Sequence, residues 1–393
     1  MKNLETLIQE LCPDGVEFVK LGEVCEIKTG KGITNKDCSD SDIYPVYSGG
    51  KEPMGYYKDF NRNENTITVS RVGAYAGFVN YVVEKFYLND KCFSVIPTAG
   101  NTINTKFLYY KLKSIESNII NLQSGGGVPT INTKKVGSIE IPLPPIEVQT
   151  EIVRILDKFT SLEAELEAEL DCRKRQYEYY RDKLLSFDNV GGQDVEWKKM
   201  SEVGTFIRGK RFVRTDIVEE GIPCIHYGDM YMYYGLQATQ ARTHLTKEKA
   251  EKMRFATKND VIIVGAGENN MDIGIGMAWL GDEDVAVHDA CYIFKSNMNP
   301  RYVSHYLRGS KYHLQIKKYV CEGKICSISA QSIGKSIIPV PSLQEQERLA
   351  NILDRFESLT TSLTAGLPAE IAARRQQYEH YRDKLLTFKR KSA

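Results

Sequence analysis

Long apolar runs are missing from this 393-residue chain. None approaches the roughly 20 residues a helix needs to cross a bilayer, so no membrane role is expected. The first residues, Met1-Lys2-Asn3-Leu4-Glu5, carry an acid early and lead into no apolar stretch, so a secretory leader is not expected and cytoplasmic residence is. An excess of either charge is missing too. The 52 Lys and Arg against 51 Asp and Glu leave a net charge of +1, which excludes a protein that coats nucleic acid by bulk charge. Any binding to DNA must come from local basic surface. The nine cysteines form no C-x-x-C pair, and the closest two, Cys321 and Cys326, have no histidine near them. Free thiols in a reducing compartment and no metal site are the expectation.

Patterns of catalysis are also lacking. The only proline pair, Pro144-Pro145, stands between Leu143 and Ile146, so it is not the Asn/Asp-Pro-Pro-aromatic motif that holds a flipped adenine amine. The cluster Gly125–Gly127 lacks the Lys-Ser/Thr of a phosphate loop. The acids Asp282, Glu283 and Asp284 read as a surface turn, and His288-Asp289, which matches Asn89-Asp90 in the other half, reads as structural. No catalytic residue is assigned.

What the chain does have is itself, twice. Val16-Glu17-Phe18 through Gly30-Lys31-Gly32-Ile33 returns as Val195-Glu196-Trp197 through Gly209-Lys210-Arg211-Phe212. Ile152–Phe159 returns as Leu349–Phe356, and Tyr177–Phe187 as Tyr378–Phe388. The offset between equivalents is 179 residues at Val16/Val195, 197 at Phe159/Phe356 and 201 at Tyr177/Tyr378. The second body is therefore longer by 18 residues and the second helix by 4. A target that also has two halves is the simplest reason for such a chain.

The periodicity predicts a first long helix from about Glu147 to Phe187, entered through Pro144-Pro145. It predicts a second from about Leu343 to Phe388, with a kink or short break near Gly366 and Pro368. The apolar seam is Leu156, Phe159, Leu162, Leu166 and Leu170 on the first, and Leu353, Phe356, Leu359, Leu363, Leu367 and Ile371 on the second. Helices this long need a helical partner for their stripes. The bodies read as mixed α/β, with strands at Asn65–Val72, Cys92–Ile96, Asp260–Val264 and Cys291–Phe294 and helices at Phe107–Leu122 and Arg301–Val320. The expected fold is α+β: two mixed α/β recognition domains joined by two long helices in an antiparallel coiled coil, a pseudo-twofold internal repeat. The expected divisions are an N-terminal helical segment (1–15), a first body (16–142), a central helix (143–190), a second body (195–339) and a C-terminal helix (340–390).

Two variable bodies, each followed by a proline-rich lead, a Gln-containing helix start, I-L-D-[KR]-F, tetrad leucines (EAEL, EAEL at Glu163–Leu170) and Q-Y-E-x-Y-R-D-K-L-L-[ST]-F, resemble the specificity (S) subunit of type I restriction-modification systems. The tetrads resemble most the subgroup often called type IC. The resemblance covers the whole chain. It implies a non-catalytic subunit whose bodies are target recognition domains, each reading one half of a split double-stranded DNA sequence. The helices would set the unspecified gap and dock two modification (M) subunits, which bind S-adenosylmethionine and methylate adenine. Restriction (R) subunits would complete the complex, and the chain itself would hold no cofactor.

Basic and loop residues recurring in both bodies are the candidate DNA contacts. In the first they are Lys28, Lys31, Tyr47, Ser48, Gly49, Gly50, Lys51, Arg71, Gly125, Gly126, Gly127 and Thr130. In the second they are Arg208, Lys210, Arg211, His226, Tyr227, Asp229, Gly323, Lys324 and Ser327. Lysine and arginine can neutralise phosphates, and arginine can also read guanine edges. Arg173-Lys174-Arg175 and Arg374-Arg375 read as solvated helix faces. The rival readings are a self-contained DNA methyltransferase with duplicated recognition domains, and a coiled-coil scaffold without DNA binding.

Overall fold

The structure is a computed structural model that describes residues 4–98, 103–124, 127–187, 195–361 and 366–391. The chain divides into two compact units. Unit 1 takes Met1–Glu165 and Ala372–Ala393, and unit 2 takes Leu166–Ile371.

In unit 1 the β-branched strand Thr66–Ser70 is buried along its whole length. It lies inside an antiparallel four-stranded sheet with Cys25–Thr29, Cys92–Pro97 and Val79–Val82. A second, three-stranded sheet pairs Tyr44–Tyr47 in parallel with Tyr87–Leu88. Glu17–Lys20 runs antiparallel to Glu140–Leu143, which closes the body where the long helix leaves it. Unit 2 repeats this plan. Val261–Val264 is fully buried beside Cys291–Ser296, Ile222–Ile225 runs parallel to Val285–Val287, and Glu196–Lys199 pairs with Ile337–Val340. The greater length of the second body falls mostly in one place. Eighteen residues separate Tyr44–Tyr47 from Thr66–Ser70, against 35 between Ile222–Ile225 and Val261–Val264. The longer stretch carries Gln237–Ala238, which joins the sheet of Val261–Val264 as a fifth strand, and Thr243–Leu245 and Phe255–Ala256, which with Ile217–Val218 bring the second sheet to five strands.

The central helix spans Ile146–Ser186, 41 residues or about 60 Å at 1.5 Å per residue. Its first part belongs to unit 1 and the rest to unit 2. The second long helix is two, Leu343–Thr361 and Leu367–Leu385, where the sequence pattern predicts one helix with a kink or short break. Gly366 packs closely on the end of the first piece: a Cβ there would come within 2.8 Å of the Ser358 carbonyl.

Each unit packs the start of one long helix against the end of the other. In unit 1 Phe159 stacks on Tyr381 at 5.6 Å, and Glu163 pairs with Arg375 four residues further on. One number rises as its partner falls, so these two segments run antiparallel. In unit 2 the same residues of the repeat meet, with Phe356 stacked on Tyr180 at 5.8 Å. Leu156, Leu353 and Ile371 are buried, while Phe159, Leu162, Leu166, Leu170, Phe356 and Leu367 are half-buried. Leu359 departs from the expected seam: it is 52% exposed, and Thr360, 3% exposed, takes the inward position. Seven residues, two helical turns, separate Leu353 from Thr360, which puts that pair on one face and swings Leu359 away. Leu363 lies outside the described residues.

The motif residues of the long helices fasten each helix to its own body. Gln149 is fully buried; its Oε1 accepts from the Asn104 amide (2.7 Å) and its Nε2 donates to the Pro144 carbonyl (2.7 Å). Gln346 does the same with Asn299 (2.8 Å) and Pro341 (2.8 Å). Asn104 and Asn299 in turn cap the helices Thr105–Ser114 and Pro300–Tyr306 with their side chains. Asp157 accepts from Lys106 (2.8 Å) and Tyr110 (2.6 Å), and Asp354 from Arg301 (2.6 Å) and His305 (2.8 Å).

Candidate nucleic-acid interface

A glycine–lysine step opens the candidate site in each unit. A Cβ on Gly30 would lie 2.1 Å from the Leu88 carbonyl, and one on Gly209 would lie 2.2 Å from the His288 carbonyl. Only glycine lets the chain pass so close to its neighbouring strand. The next amide is then secured, Lys31 N–H to Leu88 O (2.9 Å) and Lys210 N–H to Val287 O (3.0 Å). From there the loop turns outward and is capped by an aspartate three residues past its N-cap. Asp37 accepts from the Thr34 amide (2.7 Å) and Asp216 from the Val213 amide (2.8 Å).

These loops frame two open clefts built from equivalent pieces. The cleft of unit 1, about 810 Å³, is lined by Gly32–Asn35 and Asp37, Ser48–Gly50, Val72-Gly73 and Asn89–Lys91, with Met54. That of unit 2, about 460 Å³, is lined by Arg208, Arg211–Arg214, His226-Tyr227, Ala266–Glu268 and His288–Ala290, with Ile325. The strand pairings fix the correspondence: Val72 faces Thr130 as Ala266 faces Ser327, and Tyr47 pairs with Leu88 as Ile225 pairs with Val287. Asn89 and His288 occupy one position and do one task, their side chains accepting from the backbone amide two residues on.

The clefts differ in chemistry. In unit 1 the walls carry amides, hydroxyls, glycine and a few apolar side chains, with the carboxylates of Asp37 and Asp90 and exposed Lys91 among them and exposed Lys31 beside them. A Cβ on Gly49 would lie 2.4 Å from the Val72 carbonyl, so that wall stays bare. In unit 2 Phe212 is buried at the base, edge-on to His288 (5.0 Å) and near His226 (5.8 Å). The two imidazoles lie against each other at 4.6 Å, tilted by 56°. Burial holds both below the ordinary histidine value, and for His288 the neighbouring His226 adds to the effect. The positive charge of this cleft therefore comes from arginine. Arg208 donates to the Asp289 carbonyl (2.8 Å).

Of the residues picked out from sequence, Ser48, Gly49, Gly50, Arg208, Arg211, His226 and Tyr227 come together in the clefts, and Thr130 and Ser327 pair with cleft-lining strands. Others go elsewhere. Lys28 pairs with Glu26 (2.6 Å) and lines a separate hollow with Phe60 and Arg62. Tyr47 is packed edge-on to Phe86. Lys51 lies over Tyr75, and Arg71 reaches the Asp90 carbonyl (3.3 Å). The carboxylate of Asp229 accepts from Thr243 (3.4 Å). Lys210, Gly127, Gly323 and Lys324 are exposed, and Gly125 and Gly126 lie outside the described residues. Asn35, Lys91, Phe212 and Glu268 escaped the sequence reading. Carrying the Gly30/Gly209 alignment five residues further would have reached Asn35.

A profile of the family described as type I restriction modification DNA specificity domain matches twice, over residues 13–171 and 192–373, and the chain belongs to this family. It is 32% identical to the EcoR124I/EcoR124II type I restriction enzyme specificity subunit of Escherichia coli, over 99% of this chain and 97% of that one. Its fold is similar to that of the S subunit of a type I restriction-modification system from M. genitalium, with a TM-score of 0.57 at 17% identity over 95% of this chain and 96% of the other. It is similar also to a chain from a structure of type I restriction-modification complex assembly and conformational transition, with a TM-score of 0.59 at 18% identity over 95% and 98%. The chain is a DNA-specificity subunit and not itself the catalyst. No helix among the described residues is long and apolar enough to cross a membrane.

Proposed function

We propose that each unit reads one half of a split DNA target through its cleft, and that the long helices fix the number of unspecified base pairs between the halves. The observation that carries this is the paired cleft: one loop framework, built twice, with different side chains on it. A framework kept and a lining changed is what independent readers of two different short sequences require. Phosphate contacts from Lys31, Lys91, Lys210 and Lys324 set the register, and groove contacts from the cleft walls give sequence. The partners are double-stranded DNA, two modification subunits docked along the helices, and restriction subunits in the full complex, all in the cytoplasm. S-adenosylmethionine belongs to the modification subunits. The recognition domains span 16–142 and 195–339, with 1–15 as an N-terminal helical segment and the long helices 143–190 and 340–390 as spacers.

Methylated adenines mapped across the genome of the source cell, with and without this chain, test the reading. A split motif that vanishes with the chain is expected. A continuous motif, or methylation that persists unchanged, contradicts it.

A further inference from the structure

The two clefts hold different side chains at the same places of the repeat. Arg211 stands where unit 1 has Gly32, Arg214 where it has Asn35, and Glu268 where it has Ala74. Arg211 and Arg214 are exposed, and no hydrogen bond or ion pair holds either guanidinium among the described residues. The nearest carboxylate in sequence is already engaged: Asp216 takes Lys249 (2.9 Å) and the Val213 amide (2.8 Å). The backbone beneath is not free to drift, because Phe212, between the two arginines' loop positions, is 1% exposed against the imidazoles of His226 and His288. Two unengaged forks thus rise from a fixed base.

We propose that the cleft of unit 2 reads a half-site containing a G·C pair, with Arg211 or Arg214 donating both hydrogen bonds to guanine O6 and N7. This rests on the reading of the clefts as DNA-binding. Arginine's planar fork matches the guanine edge, and this is the commonest specific contact between protein and base. A phosphate role would also suit arginine, but Glu268 lines the same cleft, is exposed and has no partner among the described residues. A carboxylate repels a phosphate and accepts from the N4 amine of cytosine. With Arg208 and Asp289 engaged with each other, the mixture of two unengaged guanidiniums and one unengaged carboxylate fits the edge of a G·C pair better than a strand of phosphates. Unit 1, with no arginine at either matching position, has no such reader there.

The test uses the full chain assembled with its modification subunits and a pool of random-sequence duplexes. Bound duplexes are selected and sequenced for the natural chain and for R211K, R214K and E268A. At least one guanine is expected at a fixed place in one half-site. R211K or R214K should reduce the preference for that guanine by about tenfold. E268A should loosen the same pair, and the other half-site should stay intact in every variant, which also reports correct folding. A half-site without G·C, or lysine variants that bind the natural sequence undiminished with every preference kept, overturns the proposal. So does uniform weakening with a shallower salt dependence, the mark of phosphate contact. Those outcomes leave split recognition standing; selection of no split sequence at all removes both.

Discussion

His305 shows how a single side chain is made to serve the fold. It is fully buried, with Nε2 2.8 Å from Asp354 and Nδ1 3.0 Å from the hydroxyl of Tyr177. A neutral ring with its proton on Nε2 satisfies both, donating to the carboxylate and accepting from the phenol. Unit 1 answers the same need with Tyr110, which donates to Asp157. Burial holds His305, His313, His226 and His288 below the ordinary value of 6.5, against the pull of Asp354 at the first and of Asp229 and Asp289 at the last two. A depressed histidine means that the unfolded chain takes up protons first as pH falls through 6.5, so stability is full above that pH and declines below it. All four lie in unit 2. Hydrogen exchange at pH 7.5 and at pH 5.5 should show unit 2 losing protection more than unit 1; equal loss in both would contradict this account. Little of it is legible in sequence, because nothing local marks a histidine 128 residues from Tyr177 as its partner.

At the scale of the element, the long helices were open to reading because a stripe repeated every three or four residues is a local signal. The bounds Ile146–Ser186 fall within a residue of the predicted ones. The task of Gln149 and Asp157 was not open in the same way. Both stand in the recurring motifs, yet their partners Asn104, Lys106 and Tyr110 belong to another helix, and only the fold joins them. These contacts let a change in helix length be passed to the bodies. Removal of Glu163–Leu166 takes out about 6 Å of rise and leaves a turn of only about 40°. It falls where one unit gives way to the other. The expected outcome is an unspecified gap shorter by about one or two base pairs, with both half-site sequences kept, as read from mapped methylation. Altered half-sites with an unchanged gap would defeat the role of the helices as a spacer.

The whole molecule repeats not as two consecutive halves but as two units that each borrow from both. Unit 1 needs the chain's two ends: Val16 bonds to Lys389 and Lys391, and Leu386 is 1% exposed in a core that also holds Leu4. The sequence hints at this, since the apolar run Leu4, Leu7, Ile8 and Leu11 stands before the first body as Leu184 to Phe187 stands before the second. The clefts are harder to foresee. Their walls come from four or five loops far apart in the chain, and loop residues carry no periodic pattern. The two bodies are independent readers, each choosing its own bases, if the proposed function holds. The most direct test replaces residues 16–142 with the corresponding body of a related subunit and sequences the sites methylated by the assembled complex. One half-site should change to that of the donor while the other half and the gap remain; a change in both halves would contradict the claim.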